Sequence, residues 1–232
     1  MSRSNSTHHT WETSNVTVDR AISAFRAGNP ILIHDHGDRE GETDLVYPAG
    51  DVTPESVARL RNDAGGLICV ALSDRIADAW ELPFLADELT HSATDCDHRG
   101  YDERSSFSLT VNHRDTYTGI TDEDRALTIS ELGAAALKPV QVSFETTFQV
   151  PGHVHLLRGA PDNLDDRQGH TELAIAVATA ANRAPAAVVC EMLDDETGDA
   201  LSPEDAKVYG KKNGIPYVEG ADIIRTVTQS SQ

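Results

Sequence analysis

Apolar positions along this chain fall in short blocks, some with a helical period and some extended. Ala21, Ile22 and Phe25 lie on one helical face, and Gly28-Asn29-Pro30 ends that helix. Ile31-Leu32-Ile33 follows as an unbroken apolar run, which reads as a buried strand, and Leu67 to Leu72 reads the same way. Thr53-Pro54-Glu55 opens a helix with a cap and a proline in its first turn. Phe107 to Val111 alternates as a strand does. Thr121-Asp122-Glu123-Asp124 caps a helix carrying Ala126, Leu127 and Ile129. His170 to Arg183 is alanine-rich and helical, Ala186 to Leu193 is a strand, Ser202-Pro203-Glu204-Asp205 caps another helix, and Pro216 to Val218 begins a last short strand.

This alternation is too irregular for a doubly wound parallel sheet. It predicts an α+β fold, a mixed β-sheet flanked by helices, in a single domain over residues 16–232. Residues 1–15 are polar, could bury almost nothing, and read as a disordered tail. Asp87 to Arg104 has no clear period and reads as a long surface loop.

Composition narrows the function classes. The 232 residues are 39% hydrophobic, enough for a sizeable core. No apolar run approaches the ~18 residues of a membrane span, and the start of the chain lacks a secretory signal, so the expected location is cytoplasmic. Cys69, Cys96 and Cys190 are odd in number and widely spaced, indicating neither a disulfide framework nor a cysteine zinc site. Acidic residues number 38 against 19 basic ones, and the formal net charge is −19. Such a surface repels nucleic acid and anionic membrane. Any phosphate site must then be a local basic pocket. Only Lys138, Lys207, Lys211 and Lys212 are lysines. The plain reading is a solvated acidic surface. The sharper one is a halophilic protein, whose carboxylates keep it soluble in salt that screens their repulsion.

Four segments carry chemistry. Asp38-Arg39-Glu40-Gly41-Glu42-Thr43-Asp44 holds four carboxylates and an arginine. If the stretch is extended, Glu40, Glu42 and Asp44 share one face. They then repel unless a proton or a hard divalent ion joins them, and magnesium is usual beside a phosphorylated substrate. The bland reading is an exposed acidic turn. Pro151-Gly152-His153 is by itself a turn that offers one histidine. Arg167-Gln168-Gly169-His170-Thr171-Glu172 leads into a helix whose first amides favour an anion. There Arg167 offers a bidentate partner, Thr171 a hydroxyl, and His170 a metal ligand. The alternative is an ordinary helix start with incidental polar residues. Glu191 ends the apolar run Ala186-Ala187-Val188-Val189-Cys190. It is either a partly buried acid–base group or a strand-end carboxylate pointing to water.

Together these segments resemble the 3,4-dihydroxy-2-butanone 4-phosphate synthase family. That family carries an Asp-Arg-Glu-x-Glu-x-Asp segment, a Pro-Gly-His turn, an Arg-x-Gly-His-Thr-Glu segment and a Cys-Glu-Leu/Met strand end, in this order. Here they are residues 38–44, 151–153, 167–172 and Cys190-Glu191-Met192, with His170 17 positions after His153 and Glu191 21 positions after His170. Weaker matches are Gly66-Leu67-Ile68-Cys69 and Thr118-Gly119-Ile120-Thr121, with Asp124-Arg125 following. The likeness covers roughly residues 18–225.

The resemblance implies a lyase that makes 3,4-dihydroxy-2-butanone 4-phosphate and formate from ribulose 5-phosphate in riboflavin biosynthesis. It implies magnesium, with manganese as a substitute and room for two ions, held by Glu40 and His170 with Glu42 near. It implies substrate contacts at Arg39, Glu40, Asp44, Arg167, Gln168, Gly169, His170, Thr171 and Glu191, and catalysis by His153 and Glu191. It also implies a homodimer with its active sites near the interface. The segments 87–104 and 139–151 look longer than in short bacterial members. The chain ends soon after Ile224, so a monofunctional enzyme without a GTP cyclohydrolase II domain is expected. The competing reading is a magnesium-dependent sugar-phosphate isomerase or aldolase, which would use the same acidic cluster and phosphate loop but release no formate. A non-enzymatic metal- or nucleotide-binding module would have no need of both His153 and Glu191.

The charge excess yields a test. Salt should relieve self-repulsion, so the melting temperature should rise from dilute buffer to molar potassium chloride. A flat or falling trend would refute the salt-adaptation reading.

Overall fold

Ile31–His34 (β1), Thr43–Pro48 (β2), Cys69–Leu72 (β3), Phe107–His113 (β4), Phe148–Arg158 (β5), Ala186–Val189 (β6) and Tyr217–Glu219 (β7) form one sheet in this computed structural model, in the order β4-β5-β3-β6-β2-β1-β7. The pairs β3/β5 and β1/β7 are parallel and the rest antiparallel, so the sheet is mixed, as the sequence pattern predicts. The structure describes residues 6–35, 39–94 and 104–230, with residues 6–15 and 229–230 described by their backbone alone. Asp38 of the acidic segment and Cys96 lie outside them.

The helices are Ser6–Arg26 (α1), Pro54–Asp63 (α2), Asp74–Ala79 (α3), Leu85–Glu88 (α4), Asp122–Ala135 (α5), Phe144–Thr147 (α6), His170–Ala180 (α7), Pro203–Asn213 (α8) and Gly220–Ser230 (α9). Strand side chains alternate between two apolar layers. Leu32, Leu45, Val70 and Val188 meet Leu60 of α2 and Ile129 and Leu132 of α5. Ile31, Ile33, Val46, Cys69 and Val189 meet Val18 and Phe25 of α1, Leu173 and Val177 of α7, and Ile223 of α9. The predicted caps form, with Thr53, Thr121 and Ser202 each accepting a backbone N–H from the first turn of its helix.

Two strands escape the sequence pattern. β2 reads Thr-Asp-Leu-Val-Tyr-Pro and is buried throughout, but its polar start merges with the acidic segment before it. β5 contains Pro151-Gly152, ordinarily a turn signal. Here Val111 faces Val154 while Asn112 faces Gln149, so residues 150–153 are an insertion within a continuing strand. The Pro-Gly-His turn is thus corrected to a bulge: buried Phe148 and Val154 on either side keep the strand paired across it. α1 begins at Ser6, inside the segment read as a tail. Once Val18, Ala21 and Phe25 are docked, added turns need no new nucleation. Residues 1–5 lie outside the described residues. Part of the 87–104 loop is structured by α4 and a turn of 3-10 helix at Ser92–Thr94, while residues 95–103 lie outside the described residues.

On the α7 side the helical cover stops at β3. Beyond it, Phe107 and His153 stay exposed and His155 half-buried, with no helix packed over them among the described residues. Leu132 lies in the opposite layer, fully buried. Leu132→Ala should therefore lower stability by about 2–5 kcal/mol, read from the urea midpoint. It should leave divalent-ion affinity unchanged, because the acidic segment opens onto the α7 side.

Candidate active site

The acidic segment is held by a residue just before it. Asp35, 2% exposed, accepts the backbone N–H of Glu40 at 3.2 Å and of Glu42 at 3.0 Å, which folds the chain back between β1 and β2. This places the Glu40 carboxylate over the start of α7. It also aims Asp44, buried near the start of β2, to the same side of the sheet. Glu40 and Asp44 converge, but not by strand alternation: Glu40 lies in a turn, Gly41 stands at φ +69°, and β2 begins only at Thr43, so the Asp35 clamp brings Glu40 in while Glu42 stays outside the cleft lining.

His170 is the first residue of α7 and is 6% exposed. Its Nδ1 lies 3.4 Å from Glu40 Oε2 and its Nε2 lies 3.6 Å from Asp44 Oδ1. That Nε2 and that Oδ1 are both buried and have no hydrogen-bond partner. Orphaned polar atoms facing each other in a core call for a proton or a cation between them. Asp35, Glu40 and His170 also bring one ligand atom each to within 4.8 Å of one another. Asp35 already receives two backbone N–H groups, so it serves chiefly to aim Glu40. The donor set of carboxylate oxygens and one imidazole suits a hard or borderline divalent ion.

The electrostatics follow from burial. Asp44 is raised well above the usual carboxylate range by desolvation, which His170 opposes and Glu191, Glu40 and Glu42 reinforce. Burial alone would strip His170 of its proton, but Asp44, Glu40 and Asp35 outweigh it and raise its pKa. Glu40 is lowered by its hydrogen bond to His170, against the cost of its own burial, with Arg167 and Arg39 helping. Glu42 is raised by burial and then by repulsion from Glu40 and Glu191.

Glu191 reaches the same place from the neighbouring strand. Pairing continues past β6: Leu45 donates to the carbonyl of Cys190 at 2.9 Å, Met192 donates to that of Thr43 at 2.8 Å, and Asp44 and Glu191 form an antiparallel bridge. Cross-strand neighbours put their side chains on one face. Glu191 is half-buried, and both carboxylates line one cleft. Cys69 lines it as well. Burial raises its thiol, and raises that of Cys190 to about 12, so both present thiols rather than thiolates.

The cleft's other end is basic. A Cβ on Gly169 would stand 2.9 Å from Arg167 Nη1 and 3.1 Å from Arg39 Nη2. Glycine there lets both guanidinium groups approach the N-terminus of α7, where no side chain caps the first amides. Arg167 Nη1 is held 2.8 Å from Glu172 Oε2, and Glu172 is fully buried, its other oxygen accepting the N–H of Ala160 at 3.0 Å. Two guanidinium groups over a helix start favour an anion. Gln168 instead turns aside, donating to the carbonyl of Leu164 at 3.4 Å.

Glu40, Asp44, Arg167, His170, Thr171 and Glu191 thus line a single cleft of about 120 Å³, with Cys69, Val189, Leu157, Ser105, Ser106 and Phe107 as its remaining walls. The two serines were hidden in the polar stretch that leads into β4. Asp35 and Glu172 look like ordinary loop and first-turn acids in sequence, and only their burial marks them. His153 does not line the cleft. It stands four residues from Leu157 along β5, about 13 Å at ~3.3 Å per residue.

Residues 19–226 match the protein family described as 3,4-dihydroxy-2-butanone 4-phosphate synthase. The chain is 48% identical over 224 residues to the protein of that name from Methanosarcina mazei, covering 91% of each. It is 47% identical over 218 residues to the one from Archaeoglobus fulgidus, covering 89% of this chain and 92% of that one. A crystal structure of such a synthase in complex with two magnesium ions superposes with a TM-score of 0.79 at 29% identity, over 92% of this chain and 97% of the other.

A titration tests the candidate ion site. Its neighbours raise the pKa of His170, so the ring is protonated near neutrality and must shed that proton to bind an ion. Divalent-ion binding should release protons, and affinity should rise between about pH 6 and 9, by up to ~tenfold per unit. Calorimetry in two buffers of different ionisation enthalpy reads this directly. Proton-neutral, pH-independent binding would remove His170 from the ligand set.

Proposed function

This chain belongs to the 3,4-dihydroxy-2-butanone 4-phosphate synthase family, and on that premise we infer the work of its cleft: it is a magnesium-dependent lyase that converts D-ribulose 5-phosphate to L-3,4-dihydroxy-2-butanone 4-phosphate and formate in riboflavin biosynthesis. The observation that carries this reading is the meeting, in one cleft, of Glu40, His170 and Asp44 with Arg167 and Glu191.

Glu40 and His170 would hold magnesium, whose charge beside adjacent substrate oxygens favours loss of a carbon-bound proton. Arg167 and Arg39 bind the phosphate over the start of α7, with the Thr171 hydroxyl at the same end. Glu172 keeps Arg167 from swinging to solvent. Asp44, buried against His170, meets the substrate beside the ion, and the proton work falls to Glu191 and His153. Glu191 is half-buried beside it and moves protons at the reacting carbons. Cys69 and Leu157 keep that wall dry.

His153 is the second catalytic group in this reading, and a second copy of the chain supplies it. The sheet beyond β3 supports this. Among the described residues no helix covers Phe107, His155 and His153, and Phe107 already belongs to the cleft wall. The assembly is then a homodimer in which the bulge of one subunit reaches its partner's cleft. Manganese replaces magnesium in the same donor set. We further propose that the protein is cytoplasmic and halophilic. No described helix is long and apolar enough to cross a membrane, and the net charge is −19.

Incubation with ribulose 5-phosphate should release formate only when a divalent ion is present, whereas an isomerase or aldolase would release none. Glu191→Gln and His153→Ala should each lower kcat by ~100- to 10,000-fold. If each active site draws on both subunits, unfolding and refolding an equal mixture of the two inactive variants should restore roughly a quarter of wild-type activity, through mixed dimers with one intact site. No recovery, with mixed dimers shown to form, would place both groups in the same subunit.

A further inference from the structure

We propose that Asn112 is a positioning residue for His153, holding its imidazole with Nε2 turned outward as the working nitrogen. This rests on the reading of His153 as a catalytic group.

Asn112 lies on β4, opposite the bulge of β5, and is 5% exposed. Its Oδ1 accepts the backbone N–H of His153 at 2.8 Å. That bond settles which end of the amide is oxygen, because only the oxygen can accept. The same amide reaches the ring. Oδ1 and Nδ2 are both 3.2 Å from His153 Nδ1. One side chain therefore grips both the backbone and the ring of an exposed residue on an irregular piece of strand. Such a ring would otherwise rotate freely.

The grip is itself supported. Gly119 packs so closely on Asn112 that a Cβ would lie 2.1 Å from Nδ2. Gly119 sits at φ +90°, in a turn held by Asp124, whose carboxylate accepts the backbone N–H of Tyr117, Thr118 and Gly119 at 3.1, 3.0 and 2.8 Å. These bonds lower Asp124 to about 2, so it stays charged under all ordinary conditions. The Thr-Gly-Ile-Thr segment and Asp124 thereby acquire a purpose that the cleft itself does not give them: they lock the amide that locks the histidine.

The chemistry favours an amide. An Nδ1–H donated to Oδ1 leaves Nε2 bare, ready to take a proton, and the bond survives when the ring becomes an imidazolium. Asp at position 112 keeps that acceptor. Leu removes it while filling similar space.

The test compares Asn112→Leu, Asn112→Asp and His153→Ala as full chains, with folding checked by circular dichroism. Asn112→Leu should lower kcat by ~100-fold, less than the ~10,000-fold that follows when a charged group orienting a catalytic histidine is replaced, and leave KM within about twofold. Asn112→Asp should recover most of that loss. Nitrogen-15 spectra should show the His153 ring mainly as the Nδ1–H form in the wild type and Asn112→Asp, and averaged between forms in Asn112→Leu. Full kcat in Asn112→Leu with His153→Ala inactive overturns this proposal alone. So does equal damage by Leu and Asp, or a ring pattern that Leu leaves unchanged. Full activity in His153→Ala overturns the reading of His153, and this proposal with it.

Discussion

Everything at this site depends on keeping one imidazole in the core between two carboxylates. His170 is 6% exposed, and its nitrogens face Glu40 and Asp44 at 3.4 and 3.6 Å. Burying an unpaired charge costs several kcal/mol, so neither Asp44 nor His170 is tolerable there alone. Three elements must then arrive in register: the loop that presents Glu40, the strand that presents Asp44 and the helix that begins at His170. A slip of one residue in β2 would turn Asp44 into the opposite apolar layer. The sheet's register is thus a condition of the chemistry as well as of the core.

Around that centre, charge is sorted by distance along the cleft. One end of the cleft is acidic, and the other carries Arg39 and Arg167 over an uncapped helix start. Each functional group has a partner outside the cleft that restricts it. Asp35 folds the Glu40 loop, Glu172 anchors Arg167, and the β2–β6 pairing sets Glu191 beside Asp44. These restraints are hydrogen bonds to backbone or to charged groups, the stronger kinds. They explain how a chain of net charge −19 keeps a local basic pocket: two guanidinium groups and a helix start act at close range, while the distant surface charge is screened.

Among the described residues, helices cover the α7 side of the sheet only in part. α1, α7 and α9 cover the strands from β7 to β3, and β4 and β5 extend beyond them. A bulge in β5 re-aims His153 away from the regular pleat. His153 is thus presented on an exposed stretch of strand, with its ring held by Asn112.

Much was legible in the residues themselves. Period and punctuation specified β1, β3, β4, β6 and β7, the caps at Thr53, Thr121 and Ser202, and a mixed sheet, because these depend on neighbours close in sequence. The residue types in 38–44, 167–172 and at 191 pointed to an ion and a phosphate, since that chemistry needs those side chains wherever they lie. Tertiary structure decided the rest. Burial made Asp35 a clamp and Glu172 an anchor, though in sequence they look like any acids of an acidic protein. Strand pairing turned Pro151-Gly152 from a turn into a bulge and left His153 outside the cleft lining. It also set Asn112, 41 residues earlier in the chain, against the His153 ring. Sequence spacing records which groups a chain owns; which of them touch, and which are desolvated, is set by contacts between distant segments that no local pattern encodes.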